Sequence, residues 1–382
     1  MRPYLVSALL LLLAGCSSVN AVSSNAGAGG NAGGAGVNAS AKPHHTPEGF
    51  RNNYASAVNK TFGELIRWQR ERLADGLPKP PETPTPAMAP DLPFIKDYAG
   101  TKPGSPVITW IGHASMLLQA GGLNVLTDPI FSNRASPVSL IGPERKQSPG
   151  LLLADLPVID VVLISHNHYD HLDKPSVLEI ASRSEAAGRP TLFIVPLGMK
   201  SWFADMGISN AVELDWWDKY MHKGVEFNFT PVQHWSARSF TDRSQALWSA
   251  YAVFAPDLHW YFAGDTGYSK DFSDTGARFT DRHNEARGGG FDLALIPIGA
   301  YQPRCFLAEQ HIDPTEAVQI HRDLGAKRSV GVHWGTFELS DELLDQPPKD
   351  LALAARAQGL KDGDFSVMAI GETRRLPARP AP

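Results

Sequence analysis

The heptapeptide Ser165-His166-Asn167-His168-Tyr169-Asp170-His171 sets four metal-capable side chains within six residues, directly behind the apolar run Val161-Val162-Leu163-Ile164. A buried strand that ends in a His/Asp-rich loop gives a rigid support from which several ligands can be aimed at one point. His166 and His168 are two apart, so on extended backbone they leave the same side and can grip one ion together. Asp170 and His171 follow where the chain turns toward a helix, so they point to a neighbouring spot and suit a second ion. Imidazole is a borderline ligand for zinc, and the carboxylate supplies a hard oxygen. The same design recurs downstream. A half-buried alternating run, 225–232, ends at Gln233-His234-Trp235. The run 260–263 leads into Gly264-Asp265-Thr266-Gly267, and the run 329–332 ends in His333. Seven ligands divide between two metals: His166, His168 and His234 for the first, Asp170, His171 and His333 for the second. Asp265 bridges them, because a carboxylate has two oxygens. Asp128 closes another strand, where it either supports a ligating histidine or makes an Asx turn before Pro129.

Those ligands need a scaffold that gathers strand ends at one edge. Strands are expected at 107–111, 116–118, 123–128, 161–164, 191–196, 212–214, 225–232, 250–254, 260–263, 291–298 and 329–333. Helices are expected at 62–73, 174–187, 198–206, 314–324 and 341–358. Asp313 as N-cap, Pro314 at the first helical position and Glu316 three residues on mark one helix start, and Gly325 closes that helix. Alternating strands and helices imply an α/β layered fold, with the domain that carries the ligands spanning 105–373. The Pro-rich stretch 44–104 is expected to wrap this domain around the helix 62–73. His44 and His45 are expected to be exposed and outside the chemistry, and the tail 374–382 shows no periodicity.

Composition narrows the class of partner. The chain has 382 residues, 43% hydrophobic and 20% charged, with a net charge of −5. It has no basic stripe, which argues against nucleic acid held by bulk charge. Two cysteines, Cys16 and Cys305, exclude a disulfide framework. Cys305 is expected to be a small packed residue, not a nucleophile. Residues 1–16 read as a targeting segment: Arg2, then a short apolar run from Leu5 to Leu13, then Leu13-Ala14-Gly15-Cys16. The run is too short to span a bilayer comfortably. The small residues before Cys16 resemble the lipobox of bacterial lipoproteins, in which the cysteine is lipidated and becomes the mature N-terminus. Several acyl chains would then anchor the protein to the membrane. Ser17 resembles the outer-membrane sorting pattern. Residues 17–43, rich in Gly, Ala, Ser and Asn, read as a flexible tether.

The ordered ligand set resembles the metallo-β-lactamase superfamily, which implies an αββα sandwich of two mixed sheets. Further segments are similar to the N-acylphosphatidylethanolamine-hydrolysing phospholipase D family. These are Thr127-Asp128-Pro129-Ile130-Phe131-Ser132, the loop 164–172, Glu213-Leu214-Asp215-Trp216-Trp217, Gln233-His234-Trp235, the stretch 262–268, Ile296-Pro297-Ile298-Gly299-Ala300-Tyr301, and His333-Trp334-Gly335-Thr336-Phe337. The resemblance covers roughly residues 95–345. It implies two Zn²⁺ ions and a phospholipid substrate, cleaved to phosphatidic acid and an N-acylethanolamine by a hydroxide held between the metals. It also implies substrate contacts from Tyr169 and from His311, in Gln310-His311-Ile312-Asp313-Pro314, and suggests a homodimer. His311 and Asp170 would join Asp265 in the chemistry. The chain departs from the family at Lys174 and Cys305, where the animal enzymes carry Tyr and Trp near the lipid entrance. Two other readings stay open: a lactonase or β-lactam hydrolase on the same metals, and a metal-binding envelope lipoprotein without turnover.

Overall fold

The computed structural model describes residues 42–55, 60–98, 105–283 and 289–379. Cys16, the targeting segment and the tether up to residue 41 lie outside the described residues. Two seven-stranded mixed sheets dominate. Edge to edge, the first runs Thr373–Arg375, Val107–Gly112, Ser115–Ala120, Leu123–Thr127, Val161–Leu163, Leu192–Pro196 and Ala211–Leu214. The second runs Phe365–Ser366, Ser329–Val332, Leu293–Pro297, His259–Phe262, Ala250–Phe254, Val225–Thr230 and Lys219–His222.

Period-two alternation on the first sheet explains the layering. Ile108, Trp110, Met116, Leu118, Val125, Leu163 and Ile194 join one core, shared with Phe227, Phe229, Tyr251 and Trp260 of the second sheet. Their neighbours Ile111, Leu117, Leu126, Val162, Ile164, Phe193 and Val195 point the other way, into a core completed by Val177 and Ile180 of the helix Lys174–Ala186 and by Phe203 of the helix Lys200–Asp205. The helix Pro314–Asp323 adds Ala317, Val318 and Ile320, and Gln346–Ala357 adds Leu351 and Ala354, to the core shared with the second sheet. The result is helices outside two packed sheets. It is the αββα arrangement that the family resemblance implies.

Parallel pairing collects the chemistry. Leu123–Thr127, Val161–Leu163 and Leu192–Pro196 run parallel in one sheet, as do His259–Phe262, Leu293–Pro297 and Ser329–Val332 in the other. Their C-terminal ends, and the loops that follow, therefore share an edge.

The structure differs from the sequence reading at several places. The helix expected from Asp341 starts at Gln346, because Pro347 and Pro348 fit only in a first turn. The preceding residues are occupied elsewhere: Glu342 accepts the backbone N–H groups of Ala300, Tyr301 and Gln302, and Asp341 receives the Trp68 indole N–H and pairs with Arg72. The tail contributes an edge strand, Thr373–Arg375, paired with Val107–Thr109; it is too short and polar to show alternation. His44 is buried, contrary to expectation, with Nε2 2.6 Å from Asp215. Lys42, placed in the tether, is pinned 3.1 Å from the same carboxylate. Cys305 is exposed, not packed: in the short helix Arg304–Leu307 it is Phe306 and Leu307 that turn inward, against Leu65 and Trp68.

Candidate metal centre

Every histidine and aspartate that the sequence marks as a metal ligand comes to this edge. Three histidines form one group, with His166 Nε2 2.8 Å and His234 Nε2 3.3 Å from His168 Nδ1. A second group holds Asp170, His171 and His333: Asp170 Oδ2 lies 3.3 Å from His171 Nε2 and 3.5 Å from His333 Nε2. Asp265 stands between them. Its Oδ1 is 3.2 Å from His333 Nε2. Its Oδ2 is 3.1 Å from His171 Nε2 and 3.9 Å from both His166 Nε2 and His234 Nε2. His311, the residue singled out before the helix Pro314–Asp323, reaches the same carboxylate, with Nδ1 3.9 Å from Oδ2.

One member was missed. His113 Nε2 sits 3.0 Å from Asp170 Oδ2, at the end of the strand Val107–Gly112. Gly112-His113 reads in sequence as a simple hairpin turn. The signal available was that this turn, too, closes an apolar strand with a histidine.

Ring orientations are fixed from behind. His171 Nδ1 donates to Asp128 Oδ2 at 2.7 Å, and Asp128 also accepts from the Ser165 backbone N–H and hydroxyl. Of the two readings of Asp128, support of a ligand is the one the geometry carries. His166 Nδ1 faces Ser165 Oγ at 2.9 Å, and His234 Nδ1 donates to the Gln310 carbonyl at 2.9 Å. Each of these rings thus presents Nε2 to the centre. Three residues there hold left-handed backbone: His113 (φ 52°), Asp128 (φ 31°) and His333 (φ 64°). Such conformations cost of order 1–3 kcal/mol each and cluster at functional sites.

The electrostatics fit a cation. Burial discharges His113, His168, His234 and His311, pushing each down to about 3, and holds His166 well below its ordinary value. A neutral imidazole keeps one lone pair, and His166, His168 and His234 stand where theirs can serve one cation. Burial works against charge on Asp265 and Asp170 as well, yet neighbouring imidazoles, His171 first, hold both carboxyls well below the usual range. The same attraction overcomes burial at His171, raised well above normal, and at His333, raised to about 9. Two buried carboxylates here demand positive charge. His171 Nε2, His333 Nε2, Asp265 Oδ1 and His311 Nδ1 are buried and have no hydrogen-bond partner. Cations between these atoms would satisfy both requirements.

Tyr169 points elsewhere. Its hydroxyl donates to the Arg238 carbonyl at 2.7 Å, and the Arg238 guanidinium lies 4.1 Å from its ring centroid. Asn167, Tyr169 and Lys174 line a cavity of about 990 Å³ with Leu178, Trp202 and Arg238, and none of the clustered histidines lines it. The cavity therefore adjoins the metal loop from outside the centre.

Comparison with known proteins places this geometry. Residues 123–334 match the family model described as a β-lactamase superfamily domain. The chain is 37% identical over 276 residues to the N-acyl-phosphatidylethanolamine-hydrolyzing phospholipase D 1 of Caenorhabditis elegans, covering 69% of this chain and 74% of that protein. It is 39% identical over 261 residues to the mitochondrial N-acyl-phosphatidylethanolamine-hydrolyzing phospholipase D of Saccharomyces cerevisiae, covering 66% of this chain and 53% of that longer protein. Among solved structures, a possible metal-dependent hydrolase from Veillonella parvula superposes with a TM-score of 0.57 at 16% identity, over 72% of this chain and all of that one; this last likeness speaks to the fold.

Proposed function

This chain belongs to the β-lactamase superfamily as a metal-dependent hydrolase related to the N-acyl-phosphatidylethanolamine phospholipases D, and from that membership we propose that it is a di-zinc phosphodiesterase that releases N-acylethanolamine and phosphatidic acid. The observation that carries the two-metal reading is Asp265. One of its oxygens faces His333, and the other faces His171, His166 and His234. His166, His168 and His234 would hold one ion and Asp170, His171 and His333 the other, with Asp265 shared. His113, 3.0 Å from Asp170, secures that carboxylate. When bound, zinc supplies Lewis acidity toward a phosphoryl oxygen and acidifies a water near neutral pH.

The protein's own groups do the rest. His311 is neutral and half-buried, with its buried, unpartnered Nδ1 turned to the centre, so it is placed to contact a phosphoryl oxygen as charge develops there. Asp128 and Gln310 keep the proton of His171 and of His234 on Nδ1, which leaves Nε2 free to ligate. Tyr169 borders the adjoining cavity, so its contact with substrate would be made there and not at the ions. The Leu13-Ala14-Gly15-Cys16 segment supports placing the enzyme on a bacterial envelope, lipid-anchored through Cys16.

The test is turnover of N-acylphosphatidylethanolamine, with metal content determined on the same sample. Release of N-acylethanolamine with about two zinc ions per chain is expected. Two metals without turnover would discard the lipid substrate and direct attention to lactones and simple phosphodiesters.

A further inference from the structure

We propose that Asn52, in the strap of residues 42–55, is a positioning residue for His234 and thereby sets how firmly the first metal group is held. The proposal rests on the reading of His234 as a ligand.

Asn52 is buried between exposed neighbours, Arg51 and Asn53. Its amide meets both polar groups of the His234 backbone. Nδ2 donates to the His234 carbonyl at 3.0 Å, and the His234 N–H donates to Oδ1 at 3.0 Å. The Trp248 indole N–H donates to the same oxygen at 3.0 Å. A reversed amide would lose all three bonds, so the orientation is set by its partners. His234 lies just past the strand Val225–Thr230, beyond the reach of the sheet ladder. Asn52 supplies the pairing that a neighbouring strand would otherwise give. With the backbone held by Asn52 and the ring held by the Gln310 carbonyl, the direction of Nε2 is fixed.

The strap is fastened on both sides of this contact. Upstream, the Lys42 ammonium and the Nε2 atoms of His44 and His45 close on the Asp215 carboxylate at 3.1, 2.6 and 2.9 Å. The Phe50 N–H donates to the Ser244 carbonyl at 2.8 Å. Gly49 passes so close that a Cβ would lie 2.1 Å from that oxygen. Downstream, Asn53 donates to Asp271 at 2.7 Å and the Tyr54 hydroxyl to Asp274. Asn52 is the one buried side chain between these fastenings, and it ends on a metal-capable residue.

The test is zinc release to a chelator from the zinc-loaded full chain, with zinc per chain measured beforehand. Asn52→Leu removes all three hydrogen bonds at similar volume. Asn52→Asp keeps the acceptor but turns a carboxylate oxygen toward the His234 carbonyl. Both are expected to speed zinc loss about 10- to 100-fold, the usual effect of removing a group that orients a ligand. Asn53→Ala, which loosens the strap one residue away, is expected to release zinc at the wild-type rate. Wild-type release from Asn52→Leu would overturn the proposal, as would equal acceleration by Asn52→Leu and Asn53→Ala. His234→Ala is the control for the underlying reading: full zinc content retained there would remove His234 from the ligand set, whatever Asn52 does.

Discussion

Asp265 and His311 separate two kinds of contribution at single residues. Asp265 faces both histidine groups, so Asp265→Asn is expected to lose zinc from both and to abolish hydrolysis; metal analysis of the purified variant checks this. His311 lies beside that carboxylate and His333, and its buried Nδ1 has no hydrogen-bond partner. His311→Ala is expected to keep its zinc and lose at least about 100-fold in kcat, the scale of a donor aimed at developing charge. Zinc loss in that variant would make His311 a ligand instead. Asp128→Asn should lower zinc affinity about 10- to 100-fold, since His171 loses its carboxylate partner. The loop His166–His171, with His234, Asp265 and His333, was legible in the sequence because each stands behind an apolar strand. His113 was not, because a lone histidine after Gly112 looks like any hairpin turn. Its role depends on Asp170, distant in sequence.

At the scale of elements, the central strands of both sheets and the longer helices 62–75, 174–186 and 314–323 could be read from periodicity. The misreadings fell in the segment before Gln346, whose carboxylates serve other loops, and in elements left out of that reading: the short strands Lys219–His222, Phe365–Ser366 and Thr373–Arg375 and the helices Leu92–Asp97 and Asp271–Arg278. The loops at the site are held by contacts that no pattern announces. Arg238 donates through one nitrogen to the carbonyls of Asn167 and Leu172, both at 2.8 Å, and so binds the segment after His234 to the metal loop. Arg238→Met would leave two carbonyls unpaired and should cost about 2 kcal/mol or more, read from denaturant unfolding. Gly264 has φ 60°, and a Cβ there would lie 2.6 Å from Ser165 Cβ and 2.9 Å from the Ser249 carbonyl. Gly264→Ala should therefore destabilise by about 1–3 kcal/mol and displace Asp265 from the His166–His171 loop, with loss of bound zinc.

For the molecule as a whole, the strap 42–55 joins the N-terminal part of the chain to the catalytic body through Asp215. Burial raises the pKa of that carboxyl, but the hydrogen bonds from His44 and Lys42 outweigh it, and the folded value is depressed. A depressed carboxyl stabilises above its unfolded pKa, near 4, and the benefit fades as pH falls through the folded value. The strap should hence loosen in acid, below about pH 4, seen as faster amide exchange over residues 42–55. Asp215→Asn should show the faster exchange already at neutral pH. The two sheets carry another consequence. His113, Asp128 and the loop His166–His171 hang from the first sheet; His234, Asp265 and His333 hang from the second. A chain that has folded only its first sheet owns two incomplete ligand sets and no carboxylate to join them. On the two-metal reading, metal capture would then come late in maturation, and zinc uptake during refolding should trail the change in tryptophan fluorescence that reports closure of the shared core.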